Sequence, residues 1–236
     1  MGFPVKKFYR INHIILLAVK SLISFEFNIS MGEKEISFDR GRILNLSDGI
    51  IAFSMTLMAV GIAIPDPATT PEGELYFGIV SISPKIFIFV FSFLMVGVYW
   101  IKHHSILNKV KIFDSKTIWL NMFFLLSIAF LSFTSALFGE YETDQLALGI
   151  FALNMSIAGF LLVLILIYTS KKGHIHSKYS KNMREQIILN LIVPAVFLIS
   201  VIISFFNYNL AIYSWISSPV LIFLYKISKK KAKKQK

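Results

Sequence analysis

The sequence predicts an all-α, polytopic membrane protein with six transmembrane helices, and three observations lead there. Hydrophobic residues make up 56% of the 236-residue chain and only 16% are charged, giving a mean hydropathy of +0.68. Six apolar runs, near 43–64, 84–101, 117–138, 146–168, 187–206 and 210–225, match the roughly 20 residues that a helix needs to cross a hydrocarbon core. The segments between them alternate in charge. Of the 24 Lys and Arg residues, all but Lys85 fall before the first run, in the second and fourth connections, or after the sixth run. The remaining connections carry no base and hold Asp66, Glu72, Glu74, Glu140, Glu142 and Asp144. Basic segments stay on the cytoplasmic side, so both termini are expected there.

Residues 1–40 read as a cytoplasmic segment, because the apolar stretch from Ile14 to Val19 is cut by Lys20 and Glu26. A seventh span there would invert the topology, which leaves residues 1–30 open between an interfacial helix and a translation start at Met31. The first span follows Gly41 and carries Asp48 beside Ser47 in its first turns. An acid inside a span costs about 2.5–3.5 kcal/mol even on lenient insertion scales, so Asp48 needs a partner or a task. Span two starts at Pro84, a residue suited to a first helical turn, and ends in a stretch holding Trp100, His103 and His104. Span three opens with Trp119 and Asn121 about one turn in. Spans four and five flank a loop with His174 and His176, read as a solvated basic loop in preference to a metal site. Pro194 and Pro219 lie inside spans five and six and are expected to kink them. The division is then a segment 1–40, a six-helix domain 41–225 and a basic tail 226–236.

Several function classes are disfavoured. With no cysteine there is no disulfide, thiolate metal site or cysteine nucleophile, and neither HExxH nor GxSxG occurs, so an enzyme is not expected. The net charge of +11 lies in the loops and tail, where it meets anionic lipid headgroups; lipids, not nucleic acid, are the expected partners. A proton-coupled or other secondary transporter usually needs several intramembrane ionisable groups, whereas Asp48 is the one acid in the runs. That class stays as an alternative, as does a structural membrane protein without transport. No arginine ladder and no Thr-Val-Gly-Tyr-Gly filter is present.

Helix geometry brings the polar residues together. Asp48 lies six residues, or about 9 Å, inside Arg42, and Ser47, Asp48, His103 and Asn121 share one depth. A cluster of these four would satisfy the acid and tie three helices. At 100° per residue Phe53, Leu57, Val60 and Ile64 form one stripe, flanked by Thr56. The small residues Gly49, Ala52, Thr56, Ala59 and Ala63 form an adjacent stripe suited to close helix approach. Asp48 lies about 140° from Phe53 around the helix, away from that stripe.

Taken together, Arg42-x-x-x-Leu46-Ser47-Asp48, the span after it, Trp100-x-x-His103 and Trp119-Leu-Asn121 resemble the transmembrane-protein-175 family of potassium channels, known from lysosomes and prokaryotes, whose signature is Arg-x-x-x-Phe-Ser-Asp. The resemblance implies a homotetramer of six-span subunits in a prokaryotic plasma membrane, with the first helix of each subunit lining the pore. It implies a potassium-permeable cation channel conducting passively, with potassium as the permeant ion and no cofactor or metal. Phe53 and Val60 then match the apolar narrowing, Leu57 the layer between them and Thr56 the selectivity hydroxyl. Two positions depart from the family pattern: Leu46 replaces the signature phenylalanine, and Phe53 stands where isoleucine or leucine is usual.

Overall fold

The computed structural model describes residues 39–65, 75–176 and 183–234, together with Leu17 and Ser21, with side chains up to Ser228. Most of the expected N-terminal segment lies outside the described residues, as do the side chains of the tail after Ser228. Eight helices follow in order: α1 (Arg40–Val60), α2 (Leu75–Ser81), α3 (Ser83–Leu107), α4 (Ser115–Glu140), α5 (Gln145–Lys171), α6 (Met183–Ser204), α7 (Tyr208–Ser214) and α8 (Ser217–Lys234). Among the described residues six spans are long and apolar enough to cross a membrane; five are single helices and the sixth, Tyr208–Ser228, combines α7 with the start of α8. Among the described residues there is no strand, only an isolated antiparallel bridge between Val110 and Ile175.

Helix ends differ from the apolar runs for local reasons. Asp39, Asp114, Asp144 and Asn207 each accept a backbone N–H of the first turn, setting the starts of α1, α4, α5 and α7. The first helix stops at Val60, short of the expected Ile64, so Ala63 and Ile64 fall outside the helical stripes drawn for them. Gly61 is the C-cap, and it lies close against α4: a Cβ there would lie 3.0 Å from the Ala136 Cβ. The second span runs on to Leu107, through the charges that end the apolar run, because Ile106 and Leu107 are buried. The sixth span is not one kinked helix but two helices broken at Trp215 and Ile216. Pro219 has no N–H to give the Trp215 carbonyl, which accepts instead from the Ser218 N–H at 3.2 Å and the Ser218 hydroxyl at 3.0 Å. Helix α6 continues through Pro194.

Helices α4 and α5 form the centre, with α6 against α5, α3 against both α4 and α5, and α7 and α8 outside α6. The first helix packs on α3 and α4 at the opposite edge. Between spans the hydrophobic effect is weak in lipid, so close packing and internal hydrogen bonds hold the bundle. Gly159 of α5 lets Pro194 of α6 sit against its backbone, where an added Cβ would lie 2.7 Å from the proline Cβ. The fully buried Tyr99 hydroxyl donates to the Met155 carbonyl at 2.6 Å, and Ser156 to the Pro194 carbonyl at 2.9 Å. Trp215 stacks on Phe91 at 5.2 Å, meets Phe138, Phe151 and Phe197, and donates to Ser200 at 2.9 Å.

The basic loops are sewn together. Gly173, at φ +70°, closes α5 with the His174 N–H on the Thr169 carbonyl and the Gly173 N–H on the Ser170 carbonyl. That turn aims the next residues at the α3–α4 loop, where Lys111 N–H meets the His174 carbonyl at 2.8 Å and His176 N–H meets the Lys109 carbonyl at 3.0 Å. Asp114 accepts from the Thr117 backbone at 3.0 Å, the Thr117 hydroxyl at 2.6 Å and the Tyr168 hydroxyl. Burial raises the Asp114 pKa, but the bonds from Thr117 and Tyr168, with a smaller pull from His174, outweigh it and leave it below the ordinary value. On the opposite face Lys85 pairs with Glu140 at 2.7 Å, a surface contact of modest worth.

Two outcomes follow. Gly159→Ala should lower unfolding stability by about 1–3 kcal/mol through forced separation of α5 and α6, and an unchanged melting temperature would contradict the close contact. A depressed carboxylate stabilises the fold above its unfolded value, near pH 4, and that contribution is lost as pH falls through the folded value. Asp114→Asn should therefore reduce stability at neutral pH and flatten its fall below about pH 4, as read by circular dichroism.

Candidate functional site

The first helix has two faces of opposite character. Its buried face carries Ile43, Ser47, Ile51, Ser54 and Met58, at spacings of three and four that keep one side toward α3 and α4. Ser47 donates to the Ile43 carbonyl at 2.8 Å and accepts from Asn121 Nδ2 at 3.1 Å. Asn121 Oδ1 in turn lies 2.7 Å from His103 Nε2. Since that amide oxygen only accepts, the bond requires a proton on Nε2. Both halves of the Asn121 amide are thus used, one on α1 and one on α3. The His103 ring stacks on Phe124, one turn beyond Asn121, at 4.9 Å and 13°, and its Nδ1 is buried without a hydrogen-bond partner among the described residues.

Asp48 stands apart from that chain. Its Oδ1 accepts from the Trp100 indole N–H at 2.8 Å, at the partly exposed rim between α1 and α3. The expected four-residue cluster is therefore two arrangements: Ser47, Asn121 and His103 linked in the interior, and Asp48 with Trp100 beside them. The indole reaches the acid because Trp100 precedes His103 by three residues and falls on the neighbouring face of α3. Trp119 packs on Phe123 at 6.1 Å. Arg42 is exposed and has no side-chain hydrogen bond among the described residues, whereas Arg40 reaches the Asn108 side chain in the α3–α4 loop.

Sequence reasoning missed further ties on the same helices. Ser132 donates to the Ser54 carbonyl at 2.9 Å, fastening the middle of α1 to α4, and Ser135 donates to Ser92 of α3 at 2.8 Å. Asn154 of α5 donates to the Ser127 carbonyl at 3.2 Å and to Thr134 at 3.3 Å. Small polar residues facing inward within apolar spans are the signal that would have found them.

The other face of α1 is bare. Phe53 is 64% exposed, Leu57 40% and Val60 78%, and Gly49, Ala52, Thr56 and Ala59 are exposed beside them. Thr56 donates its hydroxyl proton to the Phe53 carbonyl at 2.8 Å, which leaves the oxygen lone pairs facing out. Among the described residues no group of His, Cys, Asp or Glu could hold a metal ion. The arrangement is thus a helix fixed on one side by neutral hydrogen bonds and presenting an apolar strip with one hydroxyl on the other.

Comparison with known proteins agrees with this geometry. Residues 42–131, which span α1 to most of α4, match the family described as endosomal/lysosomal potassium channel TMEM175. A potassium channel of Chryseobacterium sp. (strain P1-3) is 25% identical over 150 residues, covering 60% of this chain and 75% of its own. One from Streptomyces collinus is 26% identical over 141 residues, covering 58% and 68%. The crystal structure of a lysosomal potassium-selective channel TMEM175 homolog from Chamaesiphon minutus shares the fold, with a TM-score of 0.69 at 22% identity over 78% of this chain and 96% of that one. These relatives carry the names of potassium channels, not of enzymes. The matched segment carries α1 and the hydrogen bonds that hold it, and over that segment the chain is similar to the TMEM175 family.

Proposed function

We propose that the protein is a potassium-permeable cation channel in which four copies bring α1 together around a shared axis. The observation that carries this reading is the exposed face of α1, where Phe53, Thr56, Leu57 and Val60 stand on the side opposite the Ser47–Asn121 bond. Small residues on that same face, Gly49, Ala52 and Ala59, suit the crowding of four helices. Potassium as the permeant ion comes from the relatives that carry that name. Residues 41–225 form the channel domain and 226–236 a basic tail against anionic lipid. The basic loops lie on the cytoplasmic side of a prokaryotic plasma membrane, which puts both termini there.

In this reading rings of Phe53, Leu57 and Val60 form a hydrophobic constriction that conducts when wide enough to stay wet and closes by dewetting. Phenylalanine faces can also attract a passing cation by about 0.5–2 kcal/mol, depending on desolvation. The Thr56 oxygens replace part of the ion's hydration shell, and conduction runs passively down the gradient. Ser47, Asp48, Trp100, His103 and Asn121 act as the frame that sets the angle of α1, with Arg42 of the signature motif exposed at its start; none of them touches the ion.

Recordings from purified protein in planar bilayers test this. With potassium on one side and sodium on the other, Thr56→Ala should move the reversal potential toward zero, by a several-fold change in relative permeability if each hydroxyl is worth about 1 kcal/mol. An unmoved reversal potential would take Thr56 out of the ion path. Phe53→Ala should raise single-channel conductance or leak several-fold at a wider, wetter constriction; unchanged currents would remove Phe53 from the pore. Silence of intact oligomers across pH and voltage would count against conduction altogether.

A further inference from the structure

We propose that a furrow between α5 and α6, on the acidic face of the bundle, holds one acyl chain of an amine-bearing phospholipid. The furrow has a cavity volume of about 500 Å³ and runs between the first turns of α5 and the last turn of α6. Its walls are Ile150, Leu153 and Val201, its floor is Gly149, and Asp144 stands at its rim. From Asp144 to Leu153 is nine residues, or roughly 13 Å along the helix, close to the roughly 15 Å depth of one leaflet's hydrocarbon. The lips, Leu146 and Phe205, are exposed, so the furrow opens toward lipid and not into the bundle. It is apolar along its length and polar only at the level where a headgroup lies.

Gly149 supports this use. Glycine weakens a helix interior relative to alanine, and a Cβ added at 149 would meet nothing within 4 Å. Packing inside the chain does not need a glycine there; a small residue at 149 keeps the furrow open. The rim selects the headgroup. Asp144 and Glu142 sit at the start of α5, and the one base on this side, Lys85, is taken by Glu140. An ammonium headgroup is attracted by that field, and an anionic one repelled.

Native mass spectrometry of the purified full chain, titrated with phosphatidylethanolamine or phosphatidylglycerol, tests the proposal by a count that does not depend on conduction. Wild type should retain one phosphatidylethanolamine per chain and prefer it about fivefold over phosphatidylglycerol, the effect of one charge near the surface. Gly149→Leu, which fills the furrow, should lower occupancy about tenfold with oligomer mass unchanged, while Gly149→Ala keeps the lipid. Asp144→Asn retains the helix cap and should abolish the headgroup preference while the chain still binds. Equal lipid retention by Gly149→Leu, or a preference of wild type for the anionic lipid, would overturn the assignment. A changed oligomer mass in Gly149→Leu would instead make the furrow a seam between copies.

Discussion

One side-chain amide holds the position of the first helix. Asn121 donates to Ser47 on α1 and accepts from His103 on α3 while belonging itself to α4, so three helices meet at a single planar group. In lipid the usual force that drives apolar surfaces together is nearly absent between helices, and polar groups left unpaired are expensive. The amide meets both conditions at once because each end has a partner. With the rotation of α1 set in this way, Phe53, Leu57 and Val60 are turned away from the bundle. The two-faced character of α1 is a consequence of which residues bond behind it.

The overall architecture was legible because two independent patterns in the chain agree. Run lengths gave six spans, and the alternation of bases and acids between them agrees with that number, as do the six spans among the described residues. Helix ends were less legible, since they depend on single residues in three dimensions. Gly61 caps α1 where it comes close to Ala136, and Pro219 breaks the sixth span by leaving the Trp215 carbonyl to Ser218. Asp144 read only as loop charge, and Asp39 and Asp114 drew no reading, although each of the three caps a helix. Aspartate followed within three residues by an apolar stretch was a visible signal for this role.

The motif residues show where periodicity stops being informative. Spacing placed Ser47, Asp48, His103 and Asn121 at one depth, and depth is what spacing can report. It could not say which donor takes which acceptor. Asp48 and Ser47 are adjacent and so point about 100° apart on the helix; the serine reaches the interior and the acid reaches the rim, where Trp100 meets it. The serines that bridge α4 to α1 and α3 were hidden for a different reason, because a serine in an apolar run carries no mark of the direction it faces.

The link that holds α1 in the interior has one further property: the Ser47 hydroxyl and the Asn121 carboxamide are both uncharged. Attractions between ions fade as dissolved salt rises, over a screening length of about 8 Å at physiological strength. Neutral donors and acceptors enclosed in the bundle have no such dependence. The Ser47–Asn121 link behind α1 is therefore indifferent to the ionic strength on either side of the membrane, and it keeps its shape while the solutions it separates differ.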